Sequence, residues 1–275
     1  MTTPYAEVVG DPVAHSKSPL IHKFWLKRLG IEGDYRCTRV TASELPSYLA
    51  ARRRDPHWRG CNVTMPLKEL ALAAVDTCSS AAAGAGAANC IIRGEAGLVG
   101  ANTDVAGVIG ALPHLLSREV AAIIGGGGAA RAAVYALGRH SLHDVRIIAR
   151  DPDRARRKLG SISGDLRFFA VEDARRGMDC AERIIQASAA GMAGNPPLPQ
   201  AVLDALADAH PDAFCLEMVY DPPLTPFVRR ARELGYGWND GIAMLIAQAE
   251  EAFRLLFGAP APRRCDAELR ELLRA

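Results

Sequence analysis

Aromatic residues are scarce in this 275-residue chain, at 6%, and no stretch of eighteen apolar residues occurs. The second absence excludes a conventional membrane-spanning helix. Neither sign of charge dominates. Lys and Arg number 33 against 31 Asp and Glu, so nothing calls for nucleic acid or a membrane surface as partner. The segment MTTPYAEVVGDP lacks the charged and apolar regions of a secretory signal, and the expectation is a cytoplasmic protein. The seven cysteines, at 37, 61, 78, 90, 180, 215 and 265, are odd in number and include no Cys-x-x-Cys pair. That argues against a disulfide framework or a metal site, and for reduced, mostly buried thiols. With few aromatics and 49% hydrophobic residues, the composition suits an alanine-rich α/β protein. It is long enough for one large domain or two modest ones.

What the chain does have is a glycine turn. An apolar run over 121–124 stops at Gly125, Gly126, Gly127 and Gly128, and a helix-forming segment follows with Ala129, Ala130 and Arg131. Strand, tight turn and helix in this order are the signature of a dinucleotide-binding βαβ unit. Gly125, Gly127 and Ala130 fall at the Gly-x-Gly-x-x-Ala positions. The first glycine allows the turn, the second lets backbone approach a pyrophosphate, and the small Ala130 lets helix and strand pack closely. The phosphates would face free N–H groups at the positive end of the helix. Strand-like runs at 145–149, 167–171, 183–187 and 213–219, with helical segments between, predict a doubly wound parallel sheet.

The N-terminal part reads as a second α/β arrangement. A strand over 6–10 ends at Gly10, Asp11 and Pro12. An amphipathic helix follows His15, Ser16, Lys17, Ser18 and Pro19. Ser18 suits the cap of that helix, with Pro19 at its first position. Ser16 has no such structural duty, which favours a ligand-binding hydroxyl. Thr41 and Glu44 form a capping box for a helix that ends in Arg52, Arg53 and Arg54, read as a solvated terminus. A strand breaks at Thr64, and a helix starting at Pro66 puts Lys68 in its first turn. The dipole disfavours a cation there and favours the neutral amine, which suits proton transfer. Residues 84–86 read as a flexible turn into a strand at Cys90. Asp104 is placed as the N-cap of a helix over 105–116, a duty compatible with a catalytic one.

These motifs resemble the shikimate dehydrogenase family over nearly the whole chain. The family's GxPxxHSxSPxxH pattern spans 10–22, GxNVTxPxK spans 60–68, GAxN ends at Asn89, and Asn-Thr-Asp is Asn102, Thr103, Asp104. The resemblance implies reversible NADPH-dependent reduction of 3-dehydroshikimate to shikimate. It implies that Ser16 and Ser18 hold the substrate carboxylate, that Thr64, Asn89 and Asp104 contact ring hydroxyls, and that Lys68 and Asp104 are the catalytic pair. Ketone reduction builds negative charge on oxygen, so a proton or a positive donor must wait there. Lys68 can serve as either, and Asp104 within reach would orient it. Tyr220, in a stretch resembling DMxYxP, and Gln248, after one resembling DGxxML, are implied substrate ligands. Ser188, Met192, Met218 and Gly241 are implied to line the cofactor.

The implied architecture is a substrate domain of 1–104 with 239–275, and a Rossmann-type cofactor domain of 105–238. The C-terminal helices return to the first domain, with substrate in a cleft that closes by a hinge. At the ribose-reading position, Arg150 and Arg154 match an NADP-type pattern, whereas Asp151 would repel a 2′-phosphate or accept from a free 2′-hydroxyl. The balance favours NADP, with NAD left open by Asp151. Cys90, Val105 and Ala243 depart from the family's Thr, Gly and Gly. They leave room for a paralogue acting on quinate or an amino analogue, or for a non-catalytic sensor. A monomer or homodimer is expected.

Overall fold

The computed structural model describes residues 3–162 and 166–275, so Met1 and Thr2 of the N-terminal segment read above lie outside it. No described helix is long and apolar enough to cross a membrane. The chain divides into two compact units, Met1–Thr103 with Gln248–Ala275, and Asp104–Ala247. The sequence-based boundary at 238/239 therefore lies upstream of the observed one. The strand Gly237–Asn239 is paired into the second sheet, and the Asn239 amide donates to the Ala111 carbonyl at 2.8 Å.

The first unit contains β1 (Tyr5–Gly10), α1 (Ser18–Leu29), β2 (Asp34–Arg39), α2 (Leu45–Arg54), β3 (Trp58–Val63), α3 (Lys68–Ala73), β4 (Thr77–Cys78), α4 (Ser80–Ala85), β5 (Cys90–Gly94) and β6 (Gly97–Ala101). Its strands order as β2-β1-β3-β5-β6-β4. β1 lies parallel to β2 and β3, whereas β5 runs antiparallel to β3 and β6. One face packs Val9, Leu45, Trp58, Leu67 and Leu98, and the other packs Val8, Tyr35, Ala252 and Leu256. Gly10 admits the loop after β3, since a Cβ there would lie 2.4 Å from the Thr64 methyl.

The second unit contains α5 (Thr103–Ala111, whose first residue closes the first unit), β7 (Val120–Ile124), α6 (Gly128–Arg139), β8 (Asp144–Ala149), α7 (Pro152–Leu159), β9 (Leu166–Ala170), α8 (Ala174–Met178), β10 (Arg183–Gln186), α9 (Gln200–Ala205), β11 (Phe214–Glu217), α10 (Pro226–Glu233) and β12 (Gly237–Asn239). The helix α11 (Gly241–Phe257) contains the boundary between units, and α12 (Asp266–Arg274) belongs to the first. The second sheet is parallel throughout, in the order β12-β11-β10-β7-β8-β9. That is the doubly wound arrangement expected from the strand-helix rhythm, with the chain reversing direction across the sheet between β7 and β10. Central β7 is buried along nearly its whole length, which is why it reads as an unbroken apolar run, whereas its neighbour β10 carries Arg183 and Gln186 at its ends.

Several local expectations are corrected. Residues 84–86 close a helix: Gly86 is the left-handed C-cap of α4 at φ 64°. The Met65–Pro66 peptide is cis and α3 begins at Lys68, not at Pro66. The helix expected over 105–116 is α5, ending at Ala111. The Thr41–Glu44 box is half formed, because the Glu44 carboxylate accepts from both the Thr41 amide and the Thr41 hydroxyl. The triple arginine is not simply solvated. Arg52 grips the buried Glu7 carboxylate at 2.7 and 3.0 Å, alongside the Thr38 and Tyr48 hydroxyls. Burial pushes the Glu7 carboxyl up, but these bonds outweigh it and hold it below its ordinary range. All seven cysteines are free, yet only Cys61, Cys90 and Cys215 are buried.

His22 is an aromatic core residue that lies flat against Tyr35, with ring centroids 4.1 Å apart, and edge-on to Trp25. Among the described residues neither ring nitrogen has a hydrogen-bond partner, and burial lowers the His22 pKa to about 3. An unfolded histidine titrates near 6.5, so below that pH the unfolded chain binds the extra proton and stability falls as pH drops toward 3. Between pH 6.5 and 5 this amounts to about 2 kcal/mol. Urea unfolding of His22→Phe is expected to lose that much of its acid dependence. An acid limb identical to the parent's would mean that His22 takes its proton while folded.

Candidate active site

The topology of the first sheet gathers the sequence motifs at one end. β1 and β3 are parallel neighbours with Val9 opposite Val63, so residues 11–18 and 64–68 leave at the same edge. Cys90 lies opposite both Asn62 and Ala101, so Asn89 enters, and Asn102, Thr103 and Asp104 leave, at that edge too. The Ala88 amide donates to the Lys68 carbonyl at 2.9 Å, tying the start of α3 to the segment before Asn89. Lys68 is the first residue of α3, half-buried, where the positive end of the helix opposes its charge.

A chain of hydrogen bonds links two of the expected ligands, Asn89 and Gln248, with Tyr35, Asn62 and Thr103, to which no role was assigned from the sequence. Tyr35 donates to Asn62 Oδ1 at 2.6 Å, and Asn62 Nδ2 donates to the Asn89 carbonyl at 3.3 Å. Asn89 Nδ2 donates to Thr103 Oγ1 at 3.0 Å, and Thr103 Oγ1 donates to Gln248 Oε1 at 3.3 Å. Asn89 Oδ1 also accepts from the Thr103 amide at 2.6 Å. Asn89, Asn62, Thr103 and Gln248 are all buried, so each unsatisfied group would cost about 1–3 kcal/mol. Such a network fixes rotamers. The pairing of Tyr35 with Asn62 was not legible, because nothing local marks a bond between positions 27 apart.

The caps differ from expectation. Ser18 lies inside α1, and it is Ser16 whose hydroxyl accepts from the Ser18 amide, at 3.3 Å. Asp104 is the second residue of α5, a buried first-turn carboxylate rather than its cap. Thr64 is half-buried, with its amide on the Val9 carbonyl at 2.9 Å.

In the second unit the glycine turn lies where the sheet reverses. Gly125 has φ 119°, and a Cβ on it would stand 2.9 Å from the Ser188 amide nitrogen. Gly127, the N-cap of α6, has extended backbone, and a Cβ there would meet no atom within 4 Å. A turn open at Gly127, at the N-terminus of a twelve-residue helix, fits a pyrophosphate. Gly126 rests against Ala155 of α7. Buried Gln186 holds the neighbouring loop: its Oε1 accepts from the Ser188 amide and hydroxyl at 2.8 and 2.7 Å, and its Nε2 donates to the Ser188 and Ala190 carbonyls. Met192 lies beyond that loop, half-buried.

Arg150, just past the end of β8, and Arg154, in the first turn of α7, are exposed. Asp151 is the N-cap of α7, its carboxylate accepting from the Arg154 amide at 2.8 Å, which accounts locally for an acid at this position. At the end of β11, buried Glu217 accepts from the Val219 amide at 2.9 Å and the Thr225 hydroxyl at 2.6 Å, and burial raises its pKa to about 7. Glu217 thereby sets the course of Met218, Val219 and half-buried Tyr220. Gly241 opens α11 against that segment, since a Cβ there would lie 2.2 Å from the Val219 carbonyl oxygen. Asp240 caps the helix through the Ala243 amide. Of the departures from the family pattern, Cys90, Val105 and Ala243 are all buried. Burial pushes the Cys90 thiol up to about 12, which leaves it inert.

The family model described as the shikimate dehydrogenase substrate binding domain matches residues 8–91. A relative in Sphingopyxis alaskensis named shikimate dehydrogenase (NADP(+)) is 45% identical, over 98% of this chain and 97% of its own. The crystal structure of shikimate 5-dehydrogenase from Thermus thermophilus in complex with NADP(H) and shikimate is 33% identical. It superimposes at a TM-score of 0.82 and covers 98% of this chain and 99% of its own. The Listeria monocytogenes enzyme, solved in complex with shikimate and NAD, is 25% identical at a TM-score of 0.85, over 98% of this chain and 96% of its own. With relatives this similar along nearly its whole length, this chain belongs to the shikimate dehydrogenase family.

Proposed function

We propose that this protein catalyses the reversible, NADP-dependent reduction of 3-dehydroshikimate to shikimate. The observation that supports the reading is that the segments leading to Thr64 and Lys68, to Asn89 and to Asp104 meet the first sheet at one end, where the loop bearing Ser16 and Ser18 also leaves β1. The two serines and Tyr220 are assigned the carboxylate, and Thr64, Asn89 and Gln248 the ring hydroxyls. The dinucleotide supplies the hydride when bound. Lys68 and Asp104 hold and move the proton at the reacting oxygen, and Asp104 orients the ammonium. Gly125, Gly126, Gly127, Gly128 and Ala129 are assigned the pyrophosphate. Ser188, Met192, Met218 and Gly241 are assigned the nicotinamide side.

Arg150 and Arg154 put two exposed cations at the ribose position, against an Asp151 whose carboxylate is partly spent on a backbone amide. That supports NADP over NAD. Retention of Lys68 and Asp104 favours an enzyme over a ligand sensor. We place it in the cytoplasm, as a monomer or homodimer acting on a small molecule. The test is initial rates with shikimate and quinate, each with NADP⁺ and NAD⁺. The highest kcat/KM is expected for shikimate with NADP⁺, by about tenfold or more over NAD⁺, since one charge-assisted bond to the phosphate is worth about 1.5–3 kcal/mol. A preference for NAD⁺ would overturn the cofactor assignment. A preference for quinate would overturn the substrate. Saturable shikimate binding without turnover would favour the sensor.

A further inference from the structure

We propose that Lys17 is a positioning residue for substrate. By holding the last turn of the C-terminal helix, it fixes the loop that presents Ser16 and Ser18. The inference rests on the reading of those serines as the carboxylate site.

A lysine between two anion-binding hydroxyls would be expected to reach for the anion itself. Here the Lys17 ammonium donates to the Leu273 carbonyl, 256 positions along the chain. That carbonyl lies in the final turn of α12, where oxygens lack partners within the helix and the dipole favours a cation. The anchor is itself firmly seated. Leu269 and Leu273 are fully buried, and Glu268 pairs with Arg28 of α1 through both carboxylate oxygens.

The loop is thus held from within and from outside. Ser16 accepts from the Ser18 amide, and Lys17 grips α12. A loop ordered before substrate arrives spares binding the cost of ordering it. Without the Lys17 tether, the hydrogen bonds left on the loop among the described residues are short-range ones, from the Ser18 amide to Ser16 and from the Ser16 amide to the Val13 carbonyl. The loss should then fall on shikimate binding and spare both the cofactor and the chemical step.

The experiment compares Lys17→Met and Lys17→Arg with the parent in steady-state kinetics, thermal melting and amide hydrogen exchange of the ligand-free protein. Ser16→Ala and Ser18→Ala run in parallel. Lys17→Met is expected to raise the KM for shikimate about tenfold, with kcat and the KM for NADP⁺ within about twofold. It should also speed exchange at residues 270–275 before any ligand is added, which a residue that only touched substrate would not do. Lys17→Arg should restore both. An unchanged shikimate KM in Lys17→Met, while the serine variants raise theirs, would overturn the tether and leave the serine site standing. Serine variants with an unchanged shikimate KM would overturn the carboxylate site and the tether with it. Equal rises in both KM values with a lowered melting temperature would reduce Lys17 to a structural residue.

Discussion

Replacing Lys68 with alanine is expected to cut kcat by about 10²–10⁴-fold while leaving the Kd for NADP⁺ within about threefold. The size follows from what the side chain is asked to do. Charge develops on one oxygen during reduction, and the donor assigned to it is the first residue of α3, held by the bond from the Ala88 amide to its own carbonyl. Alanine is a good helix former, so the backbone there should survive and the melting temperature should move little. Cofactor binding is assigned to the other sheet and should be untouched. Stopped-flow turnover with an independent titration of cofactor separates the two effects. A variant retaining more than a tenth of parental kcat would remove Lys68 from the chemistry.

Gly127→Ala is expected to raise the KM for NADP⁺ by about 100-fold, with a melting temperature within about 3 °C of the parent. The glycines of this turn have separable duties. At Gly125 a Cβ would strike the Ser188 amide from a backbone at φ 119°, so substitution there attacks the fold. At Gly127 the backbone is extended and the space above it open. Alanine therefore costs folding no more than about 1 kcal/mol of capping, or a few degrees in a protein of this size. What the Cβ occupies is the approach of a phosphate to the helix N-terminus. Differential scanning fluorimetry with and without NADP⁺ reads both quantities. Loss of stability without loss of affinity would show the open space to be structural only.

The parallel sheet of the second unit was legible because buried strands announce themselves as apolar runs and the glycine turn marks one end of them. The first unit was legible in its motifs and less so in its geometry. The stretches ending at Lys68 and Asn89 carry their chemistry in consecutive residues, and the β-sheet register brings them together. Contacts between distant positions had no local mark. The bonds from Asn89 through Thr103 to Gln248 span 14 and then 145 positions. The same is true of Arg52, read as solvent-facing from its neighbours Arg53 and Arg54, though its partner is a carboxylate 45 positions earlier. Ser18 was misplaced by a single residue because Ser-Pro signals a helix start equally well one position on. Here Ser16 took the hydrogen bond instead.

The convergence of an ammonium and a carboxylate on one alcohol is tested most directly by a crystal structure of the protein with shikimate and NADP⁺ both bound. Lys68 Nζ and an Asp104 carboxylate oxygen are each expected within about 3.2 Å of the hydroxyl that is oxidised. Either side chain turned away from that oxygen, or shikimate seated elsewhere than beside Ser16 and Ser18, would contradict it.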